Sequence, residues 1–172
     1  MRRYLISFID LAGFARDAER INDDERLAEQ LDRYYERLGD IVERADGIVV
    51  KHIGDGALIV FPPERGDDAV RALLELRDAI ATIFAGWSST LVVKLHLGDV
   101  VCGPFGSRGE KRFDVIGGAV NIAARLPTRN FAISAEAFRT LSADGRALFK
   151  KHTPPITYIP IADHRPSPMT KL

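Results

Sequence analysis

Six polar residues of types suited to cation and phosphate chemistry interrupt apolar segments of this sequence. Asp10 ends the run Tyr4-Leu5-Ile6-Ser7-Phe8-Ile9, Asp55 lies in Gly54-Asp55-Gly56 between two further apolar runs, and Lys51 precedes it by four residues. Each has an ordinary reading when taken singly. Asp10 can cap residues 11–14, Asp55 can simply form a turn because Asp-Gly is a preferred hairpin pair, and a strand lysine is commonly a solvated charge. Taken together, the two carboxylates have a chemical reading. They make an oxygen-rich site for Mg²⁺ or Mn²⁺, in which one or two carboxylates hold the ion and phosphate and water complete its shell.

The other three lie further along the chain. Asn121 and Arg125 are four apart in the small-residue stretch Ala119-Val120-Asn121-Ile122-Ala123-Ala124-Arg125-Leu126. On a helix this spacing puts both on one face, about 6 Å apart. An arginine in so apolar a helix must reach a carboxylate, a phosphate or a rim, and an ordinary ion pair remains open. Asp114, an acid inside the short run Phe113–Ile116, is ambiguous by itself.

The elements that must position these groups are legible from periodicity. Tyr4–Ile9 is almost continuously apolar, which predicts a strand buried on both faces and ending at Asp10. Asn22 and Glu25 have the spacing of a capping box, and Leu27, Leu31, Tyr34, Leu38 and Ile41 follow at helical spacing. Gly47–Ile53 and Ala57–Phe61 read as strands joined through Asp55-Gly56. A helix over about 67–84 and a strand over Leu91–Val101, interrupted at Gly98, come next. The order β-α-β-β-α-β predicts an α+β, ferredoxin-like sheet with two helices on one face. A Gly-rich charged loop over 103–112 then leads to a C-terminal extension: a strand at 113–116, a helix at 119–126, a strand at 131–133, a helix at 135–141 and a strand near 156–161. We read residues 1–162 as one domain and 163–172 as a flexible tail.

Composition narrows the partners. The chain has 172 residues, of which 46% are hydrophobic and 28% charged, with zero formal net charge. That balance supports a real core and lacks the basic footprint of a nucleic-acid binder. Cys102 is the only cysteine, which rules out an intrachain disulfide and fits a reducing compartment. The apolar run at Tyr4–Ile9 is too short for a signal-peptide core, and no stretch approaches the ~18 apolar residues of a membrane helix. These features predict a soluble, cytoplasmic protein with neither membrane nor nucleic acid as partner.

At the level of motifs the sequence resembles the class III adenylate/guanylate cyclase catalytic domain. Phe8-Ile9-Asp10-Leu11-Ala12-Gly13-Phe14 is similar to its first metal motif, and Lys51-His52-Ile53-Gly54-Asp55-Gly56-Ala57 to its second. Leu95 through Gly103 is similar to the strand that follows. Phe113-Asp114-Val115-Ile116-Gly117-Gly118-Ala119-Val120-Asn121-Ile122-Ala123-Ala124-Arg125 resembles its most specific signature. The four motifs occur in register over nearly the whole chain.

The resemblance implies roles. Asp10 and Asp55, with the Leu11 carbonyl, match the ligands of two divalent cations, Mg²⁺ or Mn²⁺. Lys51 and Asp114 match the purine-reading pair, and Asn121 and Arg125 the residues that act on the transition state. Lys plus Asp suits adenine, with a donor to ring N1 and an acceptor for the exocyclic amine, so the resemblance implies conversion of ATP to 3′,5′-cyclic AMP and pyrophosphate. The family shares each site between two subunits, which implies a homodimer. The alternatives are a non-catalytic cyclase-homology module that binds nucleotide or dimerises, or a guanylate cyclase. The stretch from Leu126 to Phe131 is shorter than in relatives, a difference that bears on where Arg125 sits. The family's late phosphate-binding lysine has only Lys150 and Lys151 as candidates, and each also reads as a solvated surface charge. His52 and His96 read as packed strand residues.

Overall fold

The computed structural model describes residues 1–163. Strand β1 (Arg2–Ala12) is followed by α1 (Phe14–Ile21), α2 (Asp24–Arg44), the hairpin β2 (Ile48–Ile53) and β3 (Gly56–Phe61), α3 (Gly66–Ile83) and β4 (Thr90–Gly106). The strands line up as β2-β3-β1-β4, every neighbour antiparallel, which is the ferredoxin-like arrangement expected.

The continuous apolar character of β1 and β3 has its reason in two cores. Leu5, Ile9, Ile59, Phe61, Val93 and Leu95 pack under Tyr34, Leu38 and Ile41 of α2 and Val70, Leu73, Leu76 and Ile80 of α3. Ile6, Leu58, Val60 and Val100 face the other way, onto Val115, Ala119 and Ala123. These three belong to β5 (Lys111–Ile116), which pairs with β4, and to α4 (Gly118–Ala124). The sheet is therefore covered on both faces, not only on the face of the two long helices. Beyond β4 it grows through β6 (Phe131–Ile133), parallel to β4, then β8 (Thr157–Pro160) and the edge strand β7 (Phe149–His152), with α5 (Ala135–Phe138) and α6 (Ala143–Arg146) between β6 and β7.

Several boundaries differ from the sequence reading. Asn22 does not open α2. It closes α1 in the left-handed conformation that asparagine tolerates, and Asp23 caps α2 by accepting the Arg26 N–H at 3.1 Å. Asp10 caps nothing, because it lies within β1 and α1 starts at Gly13 without a side-chain cap. Gly98 does not interrupt β4. A Cβ built there would sit 2.3 Å from the Ala119 Cβ, so the missing side chain is what lets α4 lie on the strand. Most of the expected loop at 103–112 is instead a two-stranded arm, with Phe105 opposite Arg112. The helix expected over 119–126 stops at Ala124, and α1, α6 and β7 were not foreseen. Of the expected tail at 163–172, only Asp163 falls among the described residues, at the end of a 3-10 turn; 164–172 lie outside them.

Candidate active site

The carboxylate pair is assembled by backbone pairing. Ile9 of β1 lies opposite Ala57 of β3, which brings the β2–β3 turn to the end of β1. The two central turn residues are Gly54 and Asp55, not Asp55 and Gly56; Gly56 already belongs to β3 and pairs with Ile53. A Cβ on Gly56 would come within 2.7 Å of the Ile9 carbonyl oxygen and 3.3 Å of Asp10 Oδ1, so glycine is what allows the turn to rest on β1. Asp55 then accepts the Leu11 N–H at 3.3 Å. The Leu11 side chain is buried in the helix-face core, which leaves its backbone at this end of the strand.

Two tyrosines of α2 support the turn. The Tyr35 hydroxyl donates to the Gly54 carbonyl at 2.5 Å, and its ring packs on His52 with centroids 4.0 Å apart. The Tyr34 hydroxyl is fully buried and has no hydrogen-bond partner among the described residues. Its burial, with the nearby charges of Asp55, Tyr35 and Asp10, holds its proton on. Burial also pushes the Asp55 carboxyl up, and the like charge of Asp10 pushes the same way against the Leu11 N–H. Among the described residues no three His, Cys, Asp or Glu side chains gather into a metal cluster. Two hard-oxygen ligands that repel each other are nonetheless a fitting donor set for a divalent cation that takes its remaining ligands from phosphate and water.

Lys51 and Asp114 meet directly. The Lys51 ammonium donates to Asp114 at 2.7 Å, joining β2 to β5. A β-bulge makes this possible. Val49 pairs with Ile59 and Lys51 with Leu58, so the register shifts at Val50. Lys51 thereby faces β5, whereas a regular strand would have turned it to the helix side with Val49. Partial burial of Asp114 works against ionisation, but the Lys51 hydrogen bond, the Val115 N–H at 2.8 Å and the lysine charge outweigh it, and its carboxyl sits below the ordinary carboxylate value. The pair lines a cleft of about 730 Å³ between β2 and the β4–β5 arm, with Phe113 and Arg112.

Asn121 and Arg125 do not join either pair. Both are exposed on the outer side of α4, beside the exposed Ile122, and neither side chain has a partner among the described residues. Arg125 is the C-cap residue of α4. Asp10 instead lines a separate cleft of about 560 Å³ with Lys94, Ala124, Thr128 and Arg129, and this cleft shares no lining residue with the first. One chain thus places Asp10 in one cleft and the Lys51–Asp114 pair in the other.

Lys94 and Arg129 were missed from the sequence. Lys94 carried a signal, since a lysine inside Leu91-Val92-Val93-Lys94-Leu95 needs a partner as much as Lys51 does; Arg129 carried none. Lys150 and Lys151 lie on β7, the sheet edge remote from β1. His96 is buried with its Nδ1 2.9 Å from the Ser134 hydroxyl, and burial holds its imidazole below the ordinary value. This matches the packed role expected of His96; His52 is exposed, with one face of its ring against Tyr35, so it is not the packed residue expected.

Comparison with known proteins identifies the family and agrees with the fold. A sequence model described as the Adenylate and Guanylate cyclase catalytic domain matches residues 3–152. A protein named Adenylate cyclase 2 from Rhizobium meliloti (strain 1021) is 32% identical over 149 residues, covering 78% of this chain and 40% of its own length. The chain spans well under half the length of the curated relatives it matches. Among solved structures, a bacterial light-regulated adenylyl cyclase superposes with a TM-score of 0.80 at 23% identity, over 95% of this chain and 53% of that one. A guanylate cyclase domain from Catenaria anguillulae, in complex with GTP, superposes with a TM-score of 0.75 at 22% identity, over 87% and 85%. At these identities the structural likeness speaks for the fold alone, and it spans cyclases named for both purines.

Proposed function

The chain belongs to the class III adenylate and guanylate cyclase catalytic-domain family, and from that premise we propose that residues 1–162 form an adenylate cyclase domain acting as a cytoplasmic homodimer. The observation that carries the reading is the docking of Asp55 against the end of β1 beside Asp10. It gives two carboxylates on a rigid backbone frame at the mouth of an open cleft.

In this proposal Asp10, Asp55 and the Leu11 carbonyl hold two divalent cations, Mg²⁺ or Mn²⁺. When bound, these supply Lewis acidity at the ribose 3′-oxygen and charge neutralisation at the phosphates. Lys51 donates to adenine N1 and Asp114 accepts from the exocyclic amine; their mutual ion pair holds both in place before the base arrives. Guanine presents the reverse pattern at those two positions, which favours ATP. Asn121 orients the ribose. Arg125 neutralises charge on the α-phosphoryl oxygens as the bond from the 3′-oxygen to phosphorus forms and the bond to pyrophosphate breaks. A guanidinium so placed contributes roughly 10³ to 10⁵ in rate by analogy with arginine fingers. Arg129, in the cleft with Asp10, is available to the leaving pyrophosphate.

Two features support the dimer. Asp10 and the Lys51–Asp114 pair occupy separate clefts, and the Arg125 side chain has no partner among the described residues. Val101 and Ile116, paired across the arm, are each about half exposed, as is Ile122 on α4. No described helix is long and apolar enough to cross a membrane. The test is incubation with ATP or GTP and Mn²⁺ or Mg²⁺, with products separated by chromatography. Cyclic AMP from the wild type, none from Asp10→Ala or Arg125→Ala alone, and partial recovery on mixing the two variants is the expected result. Cyclic GMP as the main product overturns the assignment of Lys51 and Asp114, and no cyclic product from a folded dimer leaves a nucleotide-binding module.

A further inference from the structure

Lys94 is the half-buried cation that the proposed chemistry leaves unused. It lies in β4 between Val93 and Leu95, both fully buried on the helix side, so its own side chain faces α4. A lysine so placed ordinarily snorkels to water or finds a carboxylate. Lys94 is partly buried, and its ammonium instead donates at 2.7 Å to the carbonyl of Ala124, with no carboxylate paired to it among the described residues. The acceptor is well chosen. The last carbonyls of a helix lack intrahelical partners and carry the negative end of its dipole, which favours a cation there.

That carbonyl belongs to the peptide unit whose N–H is Arg125. The Arg125 N–H itself bonds back to Asn121 and Ile122, so the peptide plane entering Arg125 is held from both sides. Helix α4 has only seven residues, far short of what is stable on its own, and must be fixed by contacts. Ala119 on Gly98 fixes its start, and Lys94 holds its end. On β1, Lys94 lies opposite Phe8, two residues before Asp10 and on the same sheet face.

We propose that Lys94 is a positioning residue for catalysis, which sets Arg125 by tethering the end of α4 to the strand beside β1. The proposal rests on the shared-site reading above. In that reading Asp10 of a chain serves one site while its Arg125 serves the other, so Lys94 acts on the site to which its chain lends Arg125, although its side chain lines the cleft of Asp10.

This placement gives a decisive experiment. In mixtures of Asp10→Ala and Arg125→Ala chains, the mixed dimer has one intact site, built from Asp10 of the second chain and Arg125 of the first. Lys94→Met is introduced into one chain or the other. We expect turnover of the mixture to fall about 10- to 100-fold, the scale of a small misplacement of a catalytic group, when the substitution is in the Asp10→Ala chain. Little change is expected when it is in the Arg125→Ala chain. In an otherwise wild-type dimer Lys94→Met lowers kcat with KM for ATP within about two-fold, and Lys94→Arg restores part of the loss. Loss that follows the Asp10-donating chain makes Lys94 a ligand of the cleft and overturns the proposal, as does equal loss in both arrangements or none. No activity in the mixture with Lys94 intact rejects the shared site itself. Independently of activity, amide exchange in the Lys94→Met chain should quicken at residues 121–126 and not elsewhere; unchanged exchange there overturns the tether.

Discussion

Asp17 and Asp55 are the same residue type in opposite circumstances. Asp17 is 2% exposed, yet it accepts from the Ser88 N–H at 2.8 Å, from the Ser88 and Ser89 hydroxyls, the latter at 2.6 Å, and from Arg20. These donors, led by Ser89, pull its carboxyl below the ordinary value, and the carboxylate ties α1 to the segment before β4. Asp55 has only backbone donors, its own N–H and that of Leu11, and burial, with the like charge of Asp10, pushes its carboxyl up. The contrast makes Asp17 a structural tie and agrees with the proposed metal-binding role of Asp55. A carboxyl with a lowered folded-state value stabilises the fold above its unfolded value, near 3.8, and that contribution is lost as pH falls through the folded value. Asp17→Asn should therefore lower Tm by several degrees at pH 7, and the gap should narrow below about pH 4, as read by circular-dichroism melts. Nothing in Phe14-Ala15-Arg16-Asp17 announces this role, because the donors come from residues about seventy positions away. Asp10 and Asp55 were legible only as a pair, once the strand order made them neighbours.

At the scale of elements, α4 is the part on which the proposed chemistry depends. Its seat on β4 is Gly98, where the sequence suggested a break. Periodicity shows where a strand is apolar, but not where a helix from later in the chain will press on it. Gly98→Ala forces a Cβ into the Ala119 side chain. We expect a destabilisation of about 1–3 kcal/mol from overpacking, measured by urea unfolding. We also expect a fall in kcat of about 10-fold or more, since displacing α4 carries Asn121 and Arg125 with it. Binding of the base, which uses β2 and β5, should change less, so KM for ATP serves as the internal control. Other elements escaped sequence reading for related reasons. The arm of β4 and β5 is rich in glycine and charge and exists because each strand supplies the other's hydrogen bonds. Edge strand β7 carries Lys150, Lys151 and His152, whose polarity hides any alternation. The bulge at Val50, which aims Lys51 at Asp114, depends on pairing with β3 and has no signature in the residues around it.

At the scale of the molecule, Asp10 and the Lys51–Asp114 pair line different clefts of one chain, and the proposed function places each nucleotide between two chains. A second copy, with its arm and α4 laid across the first, would bring the complementary halves together and would cover Val101, Ile116 and Ile122. On the proposed shared site, oligomeric state and activity are one equilibrium: specific activity should rise with protein concentration and level off as dimer saturates. Ile116 is the residue on which to test this, since it is 50% exposed and is not among the six candidate site residues. Its replacement by aspartate leaves both cores intact but places an unpaired charge in the contact. Such a charge costs roughly 3–5 kcal/mol, which raises the dissociation constant by between about 10²-fold and several thousand-fold. Sedimentation velocity at micromolar protein should then show Ile116→Asp as a folded monomer, with cyclase activity reduced in proportion to the dimer lost and regained at high concentration. A variant that sediments as a dimer and turns over normally would place the interface elsewhere than the arm. A monomer with full activity would mean that one chain completes its own site, and both the composite site and the role given to Lys94 would fall with it.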